Sequence, residues 1–231
     1  MLKFMYPVWK PGSQSGDEFR DLLLSVVVPA LRTIPAVELL RIAVVDSDVA
    51  VASGRRLESI SPLADGVVTI YSPGELEQSE VCAVLQANSE RFSAFGVDET
   101  IAIENVTHPA LPGERVFGFC QMVFLQRPPR LTESQWLDNW QRLHTPIAIE
   151  IQANFAYRQN RVIANDLGKE LVIHALVEES FPPEAMTSDQ AFYGVENDDD
   201  LHRSQTAMME SCARFLDFDK IDVIPMSEYI A

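Results

Sequence analysis

Trp136, Trp140 and His144 recur every four residues between Thr132 and Pro146. At that spacing they share one face of a helix. The face is aromatic and ends in an imidazole, whose unperturbed pKa near neutrality suits general acid or base work. The same pattern also suits a core helix whose histidine only hydrogen-bonds a carbonyl, and the sequence leaves both readings open. Thr132 and Gln135 form a capping box that starts the helix. Pro146 cannot donate to the carbonyl of Arg142 and biases Thr145 away from helical angles, so the helix should kink or loosen beside His144.

Further polar and aromatic residues fall within reach of that face. Tyr157 alternates with Phe155 and Gln159 on one face of a strand, while Arg158 and Asn160 take the other. A buried tyrosine hydroxyl needs a partner, and His144 is a candidate; a core tyrosine with its hydroxyl at the edge is the alternative. Strand alternation puts His174 with Val172, Leu176 and Glu178, either in a proton network with His144 or as a core histidine. Gln126 and Arg127 follow a strand and could reach the same mouth. The tryptophans either hold an aromatic ligand or fill the core. Asp198, Asp200 and His202 have no further ligand of fitting spacing, so no metal site is assigned. His108, beside Pro109, reads as solvated.

The composition narrows the field. The formal net charge is −16 over 231 residues, and acid outnumbers base on both sides of Val116, which disfavours nucleic acid and anionic membrane surfaces as partners. Cys82, Cys120 and Cys212 are odd in number and far apart, and read as reduced core thiols. No apolar run reaches the ~18 residues that span a bilayer, and the N-terminus is not a signal peptide, so a cytoplasmic protein is expected. Phosphate-loop, dinucleotide, nucleophile-elbow and zincin motifs are absent from the sequence.

The elements that must position these residues repeat. Strands are expected at Leu2–Tyr6, Val37–Ala52 (with a turn at Asp46–Asp48), Val67–Tyr71 and Glu99–Val106, with helices at Asp17–Thr33 and Glu75–Phe95. A Pro- and Gly-bearing linker over 109–116 follows. Then come strands at Phe117–Leu125, Phe155–Ile163, Leu171–Glu178 and Ile221–Met226, with helices from Glu133 and over Leu201–Leu216. Both halves, 1–108 and 117–231, read β-α-β-β-α-β. Pro29 and Pro146, Phe19 and Trp136, Leu23 and Trp140, Ala36 and Ala153, and Arg41 and Arg158 all stand 117 residues apart. Two such split β-α-β units predict an α+β fold: two ferredoxin-like repeats packed sheet to sheet, helices outside. At the same offset Leu23, Val27 and Leu40 replace Trp140, His144 and Tyr157, so the first repeat reads as structural and the second as the bearer of the site.

Trp140-x-x-x-His144-x-Pro146, followed by Tyr157 to Val162, resembles the motif of EthD-type proteins, and Asp65-Gly66 is similar to the same family. The resemblance implies a dimeric α+β barrel, here formed by the two halves of one chain. It carries the motif histidine over to His144 and the tyrosine to Tyr157. The expected activity is that of a cofactor-independent lyase or isomerase on a small aromatic or cyclic carbonyl compound. His144 would be general acid or base and Tyr157 would orient it or stabilise an enolate oxygen. Trp136, Trp140 and Phe155 would wall the pocket, and His174, Gln126 and Asn160 are further candidate contacts. A non-catalytic accessory protein of a catabolic pathway is the alternative, as is haem-dependent chemistry with His144 or His174 as axial ligand. Pairing into a homodimer stays open.

Overall fold

The computed structural model describes residues 1–167 and 171–231. Eight strands close on themselves: β1 (Leu2–Trp9), β2 (Leu39–Val44), β3 (Gly66–Ser72), β5 (Ala94–Ile103), β6 (Phe119–Leu125), β7 (Ala156–Leu167), β8 (Ala175–Phe181) and β9 (Ile221–Ile230). The two-residue β4 (Arg91–Phe92) lengthens the sheet beside β1. Around the barrel the order is β3-β2-β9-β6-β8-β7-β5-β1, closed by β1 on β3. The strands of each half therefore lie in the same order, β5-β1-β3-β2 and β9-β6-β8-β7. β2 pairs with β9 and β5 with β7, so each half covers the other's edges and the closed sheet has none to expose.

The helices lie outside. α1 (Gly16–Leu22), α2 (Val28–Arg32) and α3 (Gln78–Asn88) belong to the first half; α4 (Glu133–Leu137), α5 (Thr145–Ile151), α6 (Asp189–Tyr193) and α7 (Asp198–Cys212) to the second. The capping box is present, with Thr132 accepting from the Gln135 N–H and the Gln135 side chain accepting from the Thr132 N–H. The loosening at Pro146 takes the form of a π-helical stretch, Asp138–His144, between α4 and α5. There the Thr145 N–H donates to the carbonyl of Trp140, five residues back. This wider turn accommodates a proline ring that would clash in an α-helix. Thr145 consequently stays helical, at φ −54° and ψ −45°, against the expectation that it would leave the helix. Leu23–Val27 is π-helical in the same way ahead of Pro29, with the Val28 N–H on the Leu23 carbonyl.

Two other expectations fail for local reasons. Val49–Ala52 is not strand but part of a 3₁₀ helix, Ser47–Arg55; Val49 and Ala52 are its buried residues, at the three-residue spacing such a helix requires. The second helix stops at Asn88 rather than Phe95. Ser89 is extended (φ −139°, ψ 158°), and the alternating Arg91 to Phe95 segment enters β4 and β5.

The closed sheet separates three of the four hydrophobic clusters among the described residues; the fourth, around Phe119, Phe181 and Phe192, packs with the Ser47–Arg55 helix. Tyr6, Phe19, Leu23, Val27 and Leu40 lie in the cluster beneath the first-half helices. Trp136, Trp140, Tyr157, Val177 and Phe215 lie beneath the second-half helices. Inside the barrel, Met5, Phe95, Met122, Phe124 and Ile224 form an apolar layer. Charged groups run there too, buried at Lys3, Glu178, Arg158 and Glu228 and half-buried at Glu99 and Arg41: Lys3 bonds Glu99 and Glu178 (2.6 and 2.7 Å), Arg158 bonds Glu178 and Glu228 (3.2 and 2.6 Å), and Arg41 bonds Glu228 (2.7 Å). Three cations alternate with three carboxylates, so each charge meets its opposite, which is the condition for keeping ions out of water.

Candidate active site

The site begins with the sheet. Antiparallel pairing sets Gln121 of β6 opposite Glu179 of β8, and Tyr157 of β7 opposite the same Glu179. These three side chains rise on the helix side of the sheet, together with Val123 and Val177. Above them Trp140 and His144 descend from the π-helical stretch, Met208 and Cys212 from α7, and Phe192 and Tyr193 from α6. Between the two layers lies a cavity of about 300 Å³, at the small end of ligand sites. Arg55 and Leu57 reach its wall from the first half.

Tyr157 is almost wholly buried. Its oxygen accepts from Trp140 Nε1 (3.3 Å) and from Gln159 Nε2 (3.0 Å). The Gln159 amide is itself held, donating to Thr145 Oγ1 at 2.7 Å, and Thr145 donates to the Trp140 carbonyl at 3.0 Å. Two donors thus engage the phenol oxygen, Thr145 also interacts with it, and the ring forms part of the cavity wall. Burial raises the phenol's pKa well above its ordinary value, so it stays protonated.

His144 is buried against Phe215, with ring centroids 4.7 Å apart. Its Nδ1 lies 3.0 Å from Ser211 Oγ, which leaves Nε2 as the ring nitrogen open to a ligand. Burial pushes its pKa down to about 4, so the ring is neutral at neutral pH. The expected bond between His144 and Tyr157 is not formed: each finds a different partner, because both approach the cavity from separate layers.

The other sequence candidates disperse. Trp136 is fully buried, packs on Trp140 at 5.2 Å and lies behind it rather than on the cavity wall. Phe155 stands ahead of β7 and meets His108 at 4.7 Å; His108 in turn stacks on Phe117 at 4.2 Å, so that histidine is half-buried and not free in solvent. Asn160 points into the barrel, donating to the Leu176 carbonyl and to Glu178. Gln126 and Arg127 follow β6 away from the cavity, and His174 Nδ1 accepts from the Arg127 backbone N–H at 3.1 Å. The alternation assumed for His174 breaks there. Ile173 and Leu176 both face the barrel interior, while His174 edges onto Trp136 on the helix side.

Glu179 is the feature that sequence reasoning missed. It is a buried carboxyl on the cavity wall, with only two long amide contacts: Gln121 Nε2 at 3.5 Å and Asn154 Nδ2 at 3.4 Å. With no cation among the described residues bonded to it, burial pushes its pKa up to about 7. Two adjacent acids inside a largely apolar strand, Glu178 and Glu179, were the available signal. Ser211 and Arg55 carried none.

No family model matches the chain, and no curated protein matches its sequence. Solved structures do. An anthrone oxidase-like protein superposes with a TM-score of 0.55 at 10% identity, covering 100% of this chain and 91% of its own. A provisionally named monooxygenase from Fusobacterium nucleatum subsp. nucleatum superposes with a TM-score of 0.51 at 7% identity, covering 99% and 91%. The fold is the dimeric α+β barrel. In this chain the two halves of one polypeptide close it. At such identities the likeness speaks for architecture and not for chemistry. Among the described residues no helix is long and apolar enough to cross a membrane, and no group of three or more His, Cys, Asp or Glu could hold a metal ion.

Proposed function

We propose that the chain is a cofactor-independent lyase or isomerase acting on a small, uncharged aromatic or cyclic carbonyl compound. The observation that carries this is an apolar cavity whose wall holds both Tyr157, its oxygen fixed by Trp140 and Gln159, and a neutral imidazole; on this reading the phenol O–H turns to the ligand. A donor fixed in that way needs no reorganisation when charge develops on a carbonyl oxygen. His144 Nε2 takes the proton from the carbon next to the carbonyl. The C–H electron pair becomes the enolate double bond, and the oxygen takes its charge against the Tyr157 hydroxyl. The walls suit such a ligand. Val123, Leu125, Val177, Phe215 and Ile221 are apolar, and the single guanidinium, Arg55, is already committed to Asp189 and to the Ala185 and Ser188 carbonyls. The EthD-type motif points to the same two residues. On this reading 117–231 carries the site, 109–116 links the halves, and 1–108 is a structural counterpart that lends Arg55 and Leu57.

A panel of aromatic ketones, anthrone, phenols and cyclic β-keto or β-hydroxy compounds tests it, with wild type and His144→Ala compared by mass spectrometry. Loss of water or carbon dioxide, or an isomer, that disappears in the variant is the expected result. Binding without product in both proteins refutes the enzyme and leaves a binding protein.

One observation favours a second reading. A neutral imidazole anchored at Nδ1 by Ser211, with Nε2 open to the cavity, is also how a histidine is held as a metal ligand. His144, rather than His174, would then hold haem, which when bound supplies one-electron oxidative chemistry. A Soret band on haem addition, absent in His144→Ala, is what that reading requires.

A further inference from the structure

Proton removal is half of a lyase or isomerase cycle; a second group must protonate the leaving group or the new carbon. We infer that Glu179 is that general acid, which resolves the proposed reaction into dehydration of a β-hydroxy carbonyl compound or a proton shift along it. The inference rests on the function proposed above.

The geometry supports it. Glu179 stands on the sheet floor of the cavity and His144 on its helix roof, so the two face a ligand from opposite layers. Among the described residues Glu179 has no ion-pair partner. Its hydrogen-bond donors, Gln121 and Asn154, are neutral amides at the limit of bonding distance, so they hold the carboxyl in place and favour its charge by less than burial opposes it. The other titratable groups on the cavity wall are Tyr157, Tyr193, Cys212, His144 and Arg55. The first three are neutral at pH 7, and burial raises their pKa values further. His144 is neutral because burial lowers its own, and Arg55 is engaged by Asp189. Among the described residues no cation offsets the burial of Glu179, and burial leaves it substantially protonated near neutrality. Its neighbour Glu178 offers the contrast: one residue earlier on the same strand it faces Lys3 and Arg158 and stays charged.

In dehydration His144 Nε2 receives the carbon-bound proton, and the electron pair moves to form the C=C bond. The C–O bond to the β-hydroxyl breaks as Glu179 gives its proton to that oxygen, so water leaves. The site is left as imidazolium and carboxylate, and transfer of one proton from the first to the second restores it. No oxidant or reductant is needed.

The test compares wild type, Glu179→Gln and Glu179→Asp on those β-hydroxy and cyclic ketones of the panel that bind. Glu179→Gln is expected to lower kcat by about 10²–10⁴-fold, with ligand affinity kept within a few-fold. Glu179→Asp should recover part of the rate. Wild-type kcat/KM should fall as pH rises through about 7, and the variant's residual rate should lack that limb. Active wild type with an equally active Glu179→Gln overturns the inference and spares the proposed function. A wild type that binds the panel but turns over none of it overturns both. Infrared spectra give a readout besides activity: a protonated-carboxyl band absent from Glu179→Gln must fade as pH rises through that range, and its absence from wild type at pH below about 6 refutes the acid role.

Discussion

Replacing Glu179 by glutamine should change how stability depends on pH, whether or not a substrate is known. The buried carboxyl has its pKa raised from 4.5 to about 7. Between those values the folded chain holds a proton that the unfolded chain has released, so stability falls as pH rises. The contribution is fully present below 4.5 and is lost once pH has passed about 7. At roughly 1.4 kcal/mol per pKa unit this amounts to about 3 kcal/mol, of which about 2.5 kcal/mol falls between pH 5 and pH 8. Glutamine cannot ionise and lacks this term. The new amide must turn one donor toward Gln121 or Asn154, an offset of about 1 kcal/mol, but that offset does not vary with pH. The quantity to measure is therefore the difference between the two unfolding free energies, followed by urea titration at several pH values. The variant should gain on wild type by about 2–3 kcal/mol from pH 5 to pH 8, on the order of 5–10 °C in Tm for a chain of this size. His144 titrates in both proteins and cancels. Two pH profiles that run parallel would refute the claim that Glu179 is buried without a counter-ion.

Three further perturbations probe the rest of the site and its support. Tyr157→Phe removes the hydroxyl that would meet the carbonyl oxygen, and kcat should fall about 10²–10³-fold; it also leaves Trp140 Nε1 and one Gln159 hydrogen without a partner, costing about 1–3 kcal/mol in denaturant titration. The His144 ring should titrate by NMR near 4 rather than 6.5. Since the folded pKa is the lower one, stability present above 6.5 is lost as pH falls toward 4, by about 3 kcal/mol, and His144→Gln should lack that slope. Arg158→Met strips Glu178 and Glu228 of the cation between them and should cost about 3–5 kcal/mol, measurable by the same titration.

What the sequence made legible was periodic, and what it concealed depended on register. The four-residue spacing placed Trp140 and His144 over one cavity, and the two-residue period separated Tyr157 and Gln159 from Arg158 and Asn160, as the hydrogen bonds now show. The offset that pairs Pro29 with Pro146 marked two helices that both adopt a π-helical stretch before the proline. Phe155 and His174 were misplaced because both lie just outside their strands, where alternation no longer holds. Glu179 was invisible for another reason. Its significance comes from facing Gln121, 58 residues away, across a strand pair whose register no local pattern reveals. Glu178 and Glu179 are adjacent and chemically identical, yet the sheet passes between them. One side supplies Lys3 and Arg158, which hold a carboxylate charged; the other supplies burial beside an apolar cavity, which raises the pKa of its neighbour more than two long amide hydrogen bonds lower it. The barrel wall thus determines which of two identical side chains is a structural ion and which can carry a proton. A one-residue slip of β8 would exchange those roles and destroy the site and the barrel interior together.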